Sequence, residues 1–490
     1  MQRSAGGRSV VSVSATAPRE TPAYTPDSGV FDEGVAADGR SRPHYAELLA
    51  GLLETDLEQL SAAFASEVRR RGVSFRADGR AETFHLDPVP RLLEPREWAA
   101  LEHGLMQRVQ ALDRFVADVY GERRIVAEGV LPEEALQSCD HLEPRLAELP
   151  PQAVHIGVAG LDVVRGADGF LRVLEDNVRT PSGLAYTRAA REVLETCLPQ
   201  PPAERPRGHG DVAGALMRTL RAAAPDASGD PTVVLLSDGK ENSAWYEHER
   251  LAGMLGVPIV TLADLSVRGG RLMARVDGRR RVVDVVYRRT DEDRLTDERG
   301  ELTTVGAALF EPLRAGRLAC VNAFGTGVAD DKLITAYVED IVRFYIGVEP
   351  SLRSVRTYDP QVPEERATVL ERIGELVIKP RAGFGGQGVL VAPHARPEDV
   401  RAAGAALAAN PAAFVAQETV ALSTHPTVVG RRLEPRHVDL RPFVLLAGDD
   451  SGQVIQGGLT RVALERGALV VNSSQRGGAK DTWVMAGATA

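Results

Sequence analysis

At 490 residues, 43% of them apolar, the chain can bury more than one core, and its formal charge of −10 with no long basic run disfavours a nucleic-acid partner. Cys139, Cys197 and Cys320 form no C-x-x-C pair, which speaks against a disulfide framework or a zinc site and for a reducing compartment. No apolar run approaches the roughly 18 to 20 residues that cross a bilayer, and the N-terminus shows no apolar signal core, so a cytoplasmic protein without a membrane partner is expected.

Two or three domains are expected from the length. Residues 1–42 mix Ser, Pro, Gly, Ala and Thr without periodicity and read as a disordered tail. Residues 43–150 read as a helical region. Leu48, Leu49, Leu52, Leu53, Leu57, Leu60, Phe64 and Val68 recur at helical spacing, and amphipathic stretches follow at about 95–121 and 132–149. Between them, His85-Leu-Asp-Pro-Val-Pro-Arg91 is an extended connection that shows no chemistry by itself.

Residues 151–200 hold an acidic constellation, Leu161-Asp-Val-Val-Arg-Gly-Ala-Asp-Gly-Phe-Leu-Arg-Val-Leu-Glu-Asp-Asn177. Asp168-Gly169 is a strong two-residue hairpin signal. Counting outward from such a turn puts Asp162 opposite Glu175, and alternation puts Asn177 on the same face. Two carboxylates about 5 Å apart repel, so a divalent cation between them is the physical reason for the pair, and hard oxygen ligands point to Mg²⁺. A pair of solvated surface acids is the competing reading. The apolar Val163, Val164, Val173 and Leu174 favour a packed hairpin and hence the metal.

Residues 205–328 alternate strand and helix: a strand Val233 to Leu236, a helix about Trp245 to Leu255, and a strand Pro258 to Leu262. A hairpin across Asp277-Gly278, a strand Val282 to Tyr287, a helix about 302–315 and a strand Leu318 to Asn322 follow. This pattern predicts an open, Rossmann-like α/β layer. Its polar strand ends, including Lys240 and Arg288-Arg289, line a cleft for substrate or else are solvated loops and a helix cap.

Residues 329–490 open with Asp330-Asp331, a cap for a helix that ends near Gly347, with Lys332 in its first turn. The centre of this region is Val377-Ile-Lys-Pro-Arg-Ala-Gly-Phe-Gly-Gly-Gln-Gly-Val-Leu-Val391. It reads as strand, flexible flap and strand. Gly383, Gly385, Gly386 and Gly388 leave backbone N–H groups bare, and with Lys379 beside them a polyphosphate is the natural guest. The letters also fit G-x-G-x-x-G, but a strand and Pro393 follow rather than a helix, so the loop covers phosphates from above. An ordinary Gly-rich hairpin is the competing reading. Composition weighs against it: of 58 Lys plus Arg, only Lys240, Lys332, Lys379 and Lys480 are Lys. Where Arg fills nearly every basic position, a remaining Lys suggests a site that needs a compact, rotatable charge.

Taken in order, two lysines, a Gly-rich flap, a strand ending in Gln417-Glu418, then Asp439-Leu-Arg441, Arg461 and Asn472 resemble the ATP-grasp fold. In that family the Asp…Glu-x-Asn motif closes the domain, whereas here it comes first. The stretch from about 80 to 490 therefore resembles the circularly permuted ATP-grasp type 2 proteins related to glutathionylspermidine synthase. Glu175-Asp-Asn-Val-Arg-Thr-Pro-Ser-Gly183, Asp87-Pro-Val-Pro-Arg91 and Lys480-Asp-Thr-Trp483 make the likeness specific. Arg476 departs from it, standing where such proteins usually have another Gly, which bears on the shape of the closing loop.

The resemblance implies an α+β, partly α/β fold: a permuted ATP-grasp with a Rossmann-like layer and a helical N-terminal region. It implies a carboxylate–amine ligase that uses ATP and Mg²⁺ and joins small-molecule or peptide substrates through an acyl phosphate. Lys332, Lys379, Gln417, Glu418, Arg461, Asn472 and Lys480, with the flap, would then serve the nucleotide, and Asp162, Glu175 and Asn177 the metal. Arg179, Ser182, Gly183 and Arg441 would position the acceptor carboxylate, with Lys240 and Arg288 on the substrate side. A nucleotide-binding sensor without turnover and a phosphotransferase are the alternatives. Substrates, oligomeric state and protein partners are not legible in the residues.

Overall fold

The computed structural model describes residues 24–77, 80–198, 206–225, 229–383, 387–448, 451–469 and 477–486. The largest sheet has seven strands, in the order Arg91–Leu93, Gly478–Val484, Gly452–Val462, Arg432–Leu446, Val158–Arg165 and Leu171–Asn177, with Thr424–Val429 also pairing Arg432–Leu446. The acidic hairpin is thus docked on a strand that follows it by some 270 positions. Leu440 pairs Val163, and Phe443 pairs Gly160. Pro442 cannot donate to the ladder, and the strands slip register between Arg441 and Phe443. Gly458 opposes the slip with φ of 138°, and a Cβ there would stand 2.7 Å from the Arg441 carbonyl oxygen.

The turn of the acidic hairpin differs from expectation, although the opposition of its carboxylates does not. Gly169 donates to the Gly166 carbonyl and Gly166 to that of Phe170, so the loop has three residues, with Gly169 at φ of 81°. Arg165 consequently pairs Leu171, and Val163 pairs Val173. A bulge beyond Val163 restores the lost residue, and Asp162 faces Glu175 directly, with Gly160 opposite Asn177. Asp176 points to the other face, where Arg108 grips it through two bonds of 2.7 Å. Arg108 belongs to the helix Pro95–Val119, whose Trp98, Leu101, Leu105, Leu112 and Phe115 are buried against the large sheet and the helix Val338–Ile346.

A second sheet is wholly parallel, in the order Ala319–Val321, Val285–Arg289, Val233–Ser237, Ile259–Val260. This is the expected Rossmann-like layer. The stretch expected as one strand from Val282 to Tyr287 is divided: Arg279–Val283 forms a hairpin with Arg271–Val276, and only Val285–Arg289 enters the parallel sheet. Asn322 joins this layer to the acidic hairpin. Its amide exchanges bonds of 2.8 and 2.6 Å with the Val158 backbone and donates to the Val178 carbonyl at 2.7 Å.

A third, four-stranded sheet carries the flap, in the order Thr357–Tyr358, Phe414–Glu418, Leu376–Pro380, Leu390–Val391. Val377 pairs Val391 and Ile378 pairs Leu390, so the glycine-bearing segment does connect two antiparallel strands. Asp330 and Asp331 do not cap one long helix. A turn Gly327–Asp330 ends there, a short 3-10 turn Ile334–Ala336 follows, and Val338–Ile346 closes on Gly347.

The expectation of a tail through residue 42 needs correction for its described part. Glu33 is buried and accepts from Arg91 at 2.7 and 2.6 Å and from Ser423 at 2.6 Å, and Asp32 bridges Thr424. Low apolar content understates this segment, because it docks mainly through buried ion pairs and backbone bonds, with few apolar anchors such as the buried Val35. No helix among the described residues is long and apolar enough to cross a membrane.

Candidate functional site

Between the flap sheet, the acidic hairpin and the Rossmann-like layer lies a cavity of about 750 Å³. Its floor is the hairpin, with Asp162, Glu175 and Asn177 on the lining. Lys332, Lys379, Gly383 and Gln387 enclose one side, backed by Val377, Val389, Val391, Gln417, Glu418, Val420 and Leu422. Arg179, Ser182, Gly183, Asp293 and Asp330 also line the cavity.

Each charged group is held by a network. Arg441 meets both oxygens of Asp162 at 2.7 and 2.9 Å, and Arg461 lies 2.9 Å from the same carboxylate while also pairing Asp439. Burial alone would push Asp162 up, but the two guanidiniums outweigh it and hold its carboxyl at about 2. Asp439 goes the other way. Burial raises it, and the pull of Arg461, which it shares with Asp162, and of Arg441 does not compensate. Glu175 is likewise raised by burial, which outweighs the pull of Lys379, and Asp162 across the ladder adds to the rise. Lys332 Nζ sits 3.9 Å from Glu175 Oε1 and donates to the Gly383 carbonyl at 2.7 Å, so one ammonium touches both hairpin and flap. Burial lowers the Lys379 ammonium; Glu175 opposes that shift and Lys332 adds to it.

The loop after the hairpin is fixed from beneath. Asp330 accepts from the Val178 N–H at 2.7 Å and from Arg179 Nε at 2.9 Å, while Arg179 also reaches Asp293 at 3.1 Å. Glu247 takes the Gly183 and Ala185 N–H groups at 2.8 and 3.2 Å and is itself bound by Arg289, whose other nitrogen reaches the Pro181 carbonyl. Gly183 needs its φ of 129°, and a Cβ there would meet Phe443 at 2.8 Å.

Some expected site residues lie elsewhere. Lys480 is fully buried, paired with Asp87 and donating to the Pro426 carbonyl at 3.0 Å, and it does not line the cavity. Its partner comes from the Asp87-Pro-Val-Pro-Arg91 segment, so both segments are tied to one structural ion pair. Arg288 is also turned away, donating to the carbonyls of Asn322, Asp293 and Ala323 at 3.0, 2.8 and 3.2 Å. It supports the loop that carries Asp293 and reaches no cavity. Lys240 is exposed and outside the lining, as is Gly388. Gly385, Gly386, Asn472 and Arg476 fall outside the described residues. Sequence reasoning missed Asp293, Asp330 and Asp439 as lining residues; Asp439 stood in a quoted motif and Asp330 was read only as a cap.

The candidate metal donors are two facing carboxylates and the Asn177 amide, all oxygen-bearing and on the cavity lining. Glu175 is the more open carboxylate, because Arg441 and Arg461 already hold the oxygens of Asp162. Oxygen donors of this kind suit a hard cation completed by phosphate oxygens. Among the described residues, no group of three or more His, Cys, Asp or Glu is arranged to hold a metal.

A cleft between an antiparallel flap sheet and a larger, mostly antiparallel sheet, with its acidic strands displaced to the front of the chain, defines a permuted ATP-grasp arrangement. The family described as circularly permuted ATP-grasp type 2 matches residues 90–463, and the chain belongs to it. It is 42% identical over 478 residues to "Putative glutamate--cysteine ligase 2-2" of Frankia casuarinae, covering 96% of this chain and 55% of that protein. The chain thus spans about half the length of that relative. An uncharacterized protein of Synechocystis is 40% identical over 470 residues, covering 94% of this chain and 98% of the relative. A glutathione synthetase like-effector of Globodera pallida shares the fold at a TM-score of 0.55 and 12% identity, covering 87% of this chain and 97% of that one.

Proposed function

We propose that the chain is an ATP-dependent carboxylate–amine ligase acting on small-molecule or peptide substrates. The observation that carries this reading is the convergence of Lys332 and Lys379 on the Asp162–Glu175 pair in one cleft lined by Gly383 and Gln387 of the flap segment. Two ammoniums beside two carboxylates suit a triphosphate with its cation, because each charge on the ligand finds its opposite on the protein. ATP is the substrate that supplies the phosphoryl group.

In the reaction we infer, a substrate carboxylate oxygen attacks the γ-phosphorus and ADP leaves. An amine then attacks the acyl carbon, the amide bond forms, phosphate leaves with the C–O electron pair, and the amine loses a proton. Lys379 and Lys332 offset charge on the transferring group, while the flap excludes water that would hydrolyse the acyl phosphate. Mg²⁺, held by Asp162, Glu175 and Asn177, would neutralise phosphate charge when bound. Arg441 and Arg179, each held by an acidic partner, would orient the acceptor carboxylate.

The test is product identification. Purified protein is incubated with ATP, Mg²⁺ and a metabolite extract. The ligase reading expects a condensation product whose yield matches ADP. Phosphorylated product without amide would instead support a phosphotransferase.

A further inference from the structure

Besides its charged residues, the cavity lining has two apolar regions that belong to separate packed clusters. One region, with Val377, Val389, Val391, Val420 and Leu422, lies beside the flap and the lysines. The other is aromatic: Phe75, Phe84 and Tyr186 line it. Phe84 and Tyr186 stack with ring centroids 5.0 Å apart at 27°, and Tyr246 backs Tyr186 at 5.3 Å. The wall is preorganised by polar bonds at its edges. Tyr186 Oη donates to the Ser74 carbonyl at 2.9 Å, and the Arg76 N–H donates to that of Ser243 at 3.0 Å. Tyr186 follows the Ser182-Gly183 loop on the helix Leu184–Cys197, so the wall adjoins the face on which we place the acceptor.

A nucleotide base needs one apolar patch, and the flap sheet supplies it next to the phosphate-binding lysines. The aromatic region is then left for the other reactant. Resting on the ligase reading, we infer that Phe75, Phe84 and Tyr186 form a specificity wall for a planar apolar group on the substrate, favouring an aromatic acyl or amine component over small, fully polar ones such as glutamate. Stacked rings gain most from planar apolar partners, and the guanidinium in this region, Arg76, already pairs Glu241 at 2.8 Å, so a carboxylate chain placed there would compete with an existing ion pair while losing hydration.

The test uses matched probes on the full chain without nucleotide: N-acetylphenylalanine against N-acetylglutamate, and phenethylamine against ethylamine, with affinities from ligand-observed NMR. At least one aromatic probe should bind about tenfold more tightly than its polar or aliphatic match. Phe75→Ala, at a partly exposed position, should erase that preference, and Phe75→Leu should keep part of it. Magnesium–nucleotide affinity should be unchanged in both variants. Equal binding of each matched pair, or an aromatic preference that survives Phe75→Ala and Tyr186→Ala alike, overturns the wall. If aromatic probes bind but nucleotide does not, the ligase reading fails while the wall stands; if nucleotide binds with no aromatic preference, the wall fails alone.

Discussion

Lys332 touches both halves of the cleft, its Nζ 3.9 Å from Glu175 Oε1 on the hairpin and 2.7 Å from the Gly383 carbonyl on the flap. The side chain thus sets the distance between the two elements at the price of one ammonium. Lys332→Met should lower nucleotide affinity at least tenfold by calorimetry. Stability should change little, because a partly exposed pair at this distance contributes under about 1 kcal/mol. Unchanged affinity would contradict its placement on phosphate.

Lys379 gives a prediction of opposite sign for stability. Its folded pKa is lowered by burial, with Lys332 adding to the shift against the pull of Glu175, so its charge costs stability in the ligand-free fold. Lys379→Met should therefore abolish nucleotide binding while leaving the apo protein as stable or more so. Any stabilisation should shrink as pH rises from the folded pKa toward the ordinary lysine value of 10.5, because the parent's ammonium is then lost. Arg at this position should not restore binding, since its fork is longer and planar. Parent-like affinity in Lys379→Met would contradict the role.

The opposite face of the hairpin supplies a structural control. Arg108 and Asp176 are both about 2% exposed and joined bidentately. Asp176→Ala leaves a buried guanidinium unpaired, which costs about 3–5 kcal/mol. Chemical denaturation should show that loss; a change below about 1 kcal/mol would mean that the pair does not anchor the strand.

Glu33 tests the docked N-terminal segment. Burial alone would raise its carboxyl, but Arg165 and Arg91 hold it well below the usual range. A depressed carboxyl stabilises the fold above its unfolded pKa, ordinarily 4.5, and that contribution fades as pH falls toward the folded value. The stability gap between parent and Glu33→Gln should be full near pH 7 and shrink below about pH 4. Removing residues 1–42 should likewise lower the melting temperature by several degrees, contrary to a segment without packing. A truncated protein with the parent's melting curve would contradict this.

What could be read in advance was what local chemistry determines. Asp168-Gly169 marked a turn, alternation put Glu175 and Asn177 on one face, and the glycines between two β-branched runs marked the flap. The bulge beyond Val163 was invisible, and the opposition of Asp162 to Glu175 was reached by assuming a two-residue turn that the chain does not make. Charged residues were the harder problem. Lys480 and Lys379 look alike in sequence, yet one ends on Asp87 in the core and the other in the cleft, because partners nearly 400 positions apart are set by topology. Glu33 went unread for the same reason.

The central claim is that Asp162 and Glu175 serve the same ligand as Lys332 and Lys379, and titration calorimetry with a non-hydrolysable ATP analogue tests it most directly. The parent should bind the analogue more tightly with Mg²⁺ than without, and the Asp162→Asn/Glu175→Gln protein should bind it equally in both conditions, since the facing carboxylates are what the cation would bridge. A double variant that keeps the full magnesium-dependent gain would contradict the account.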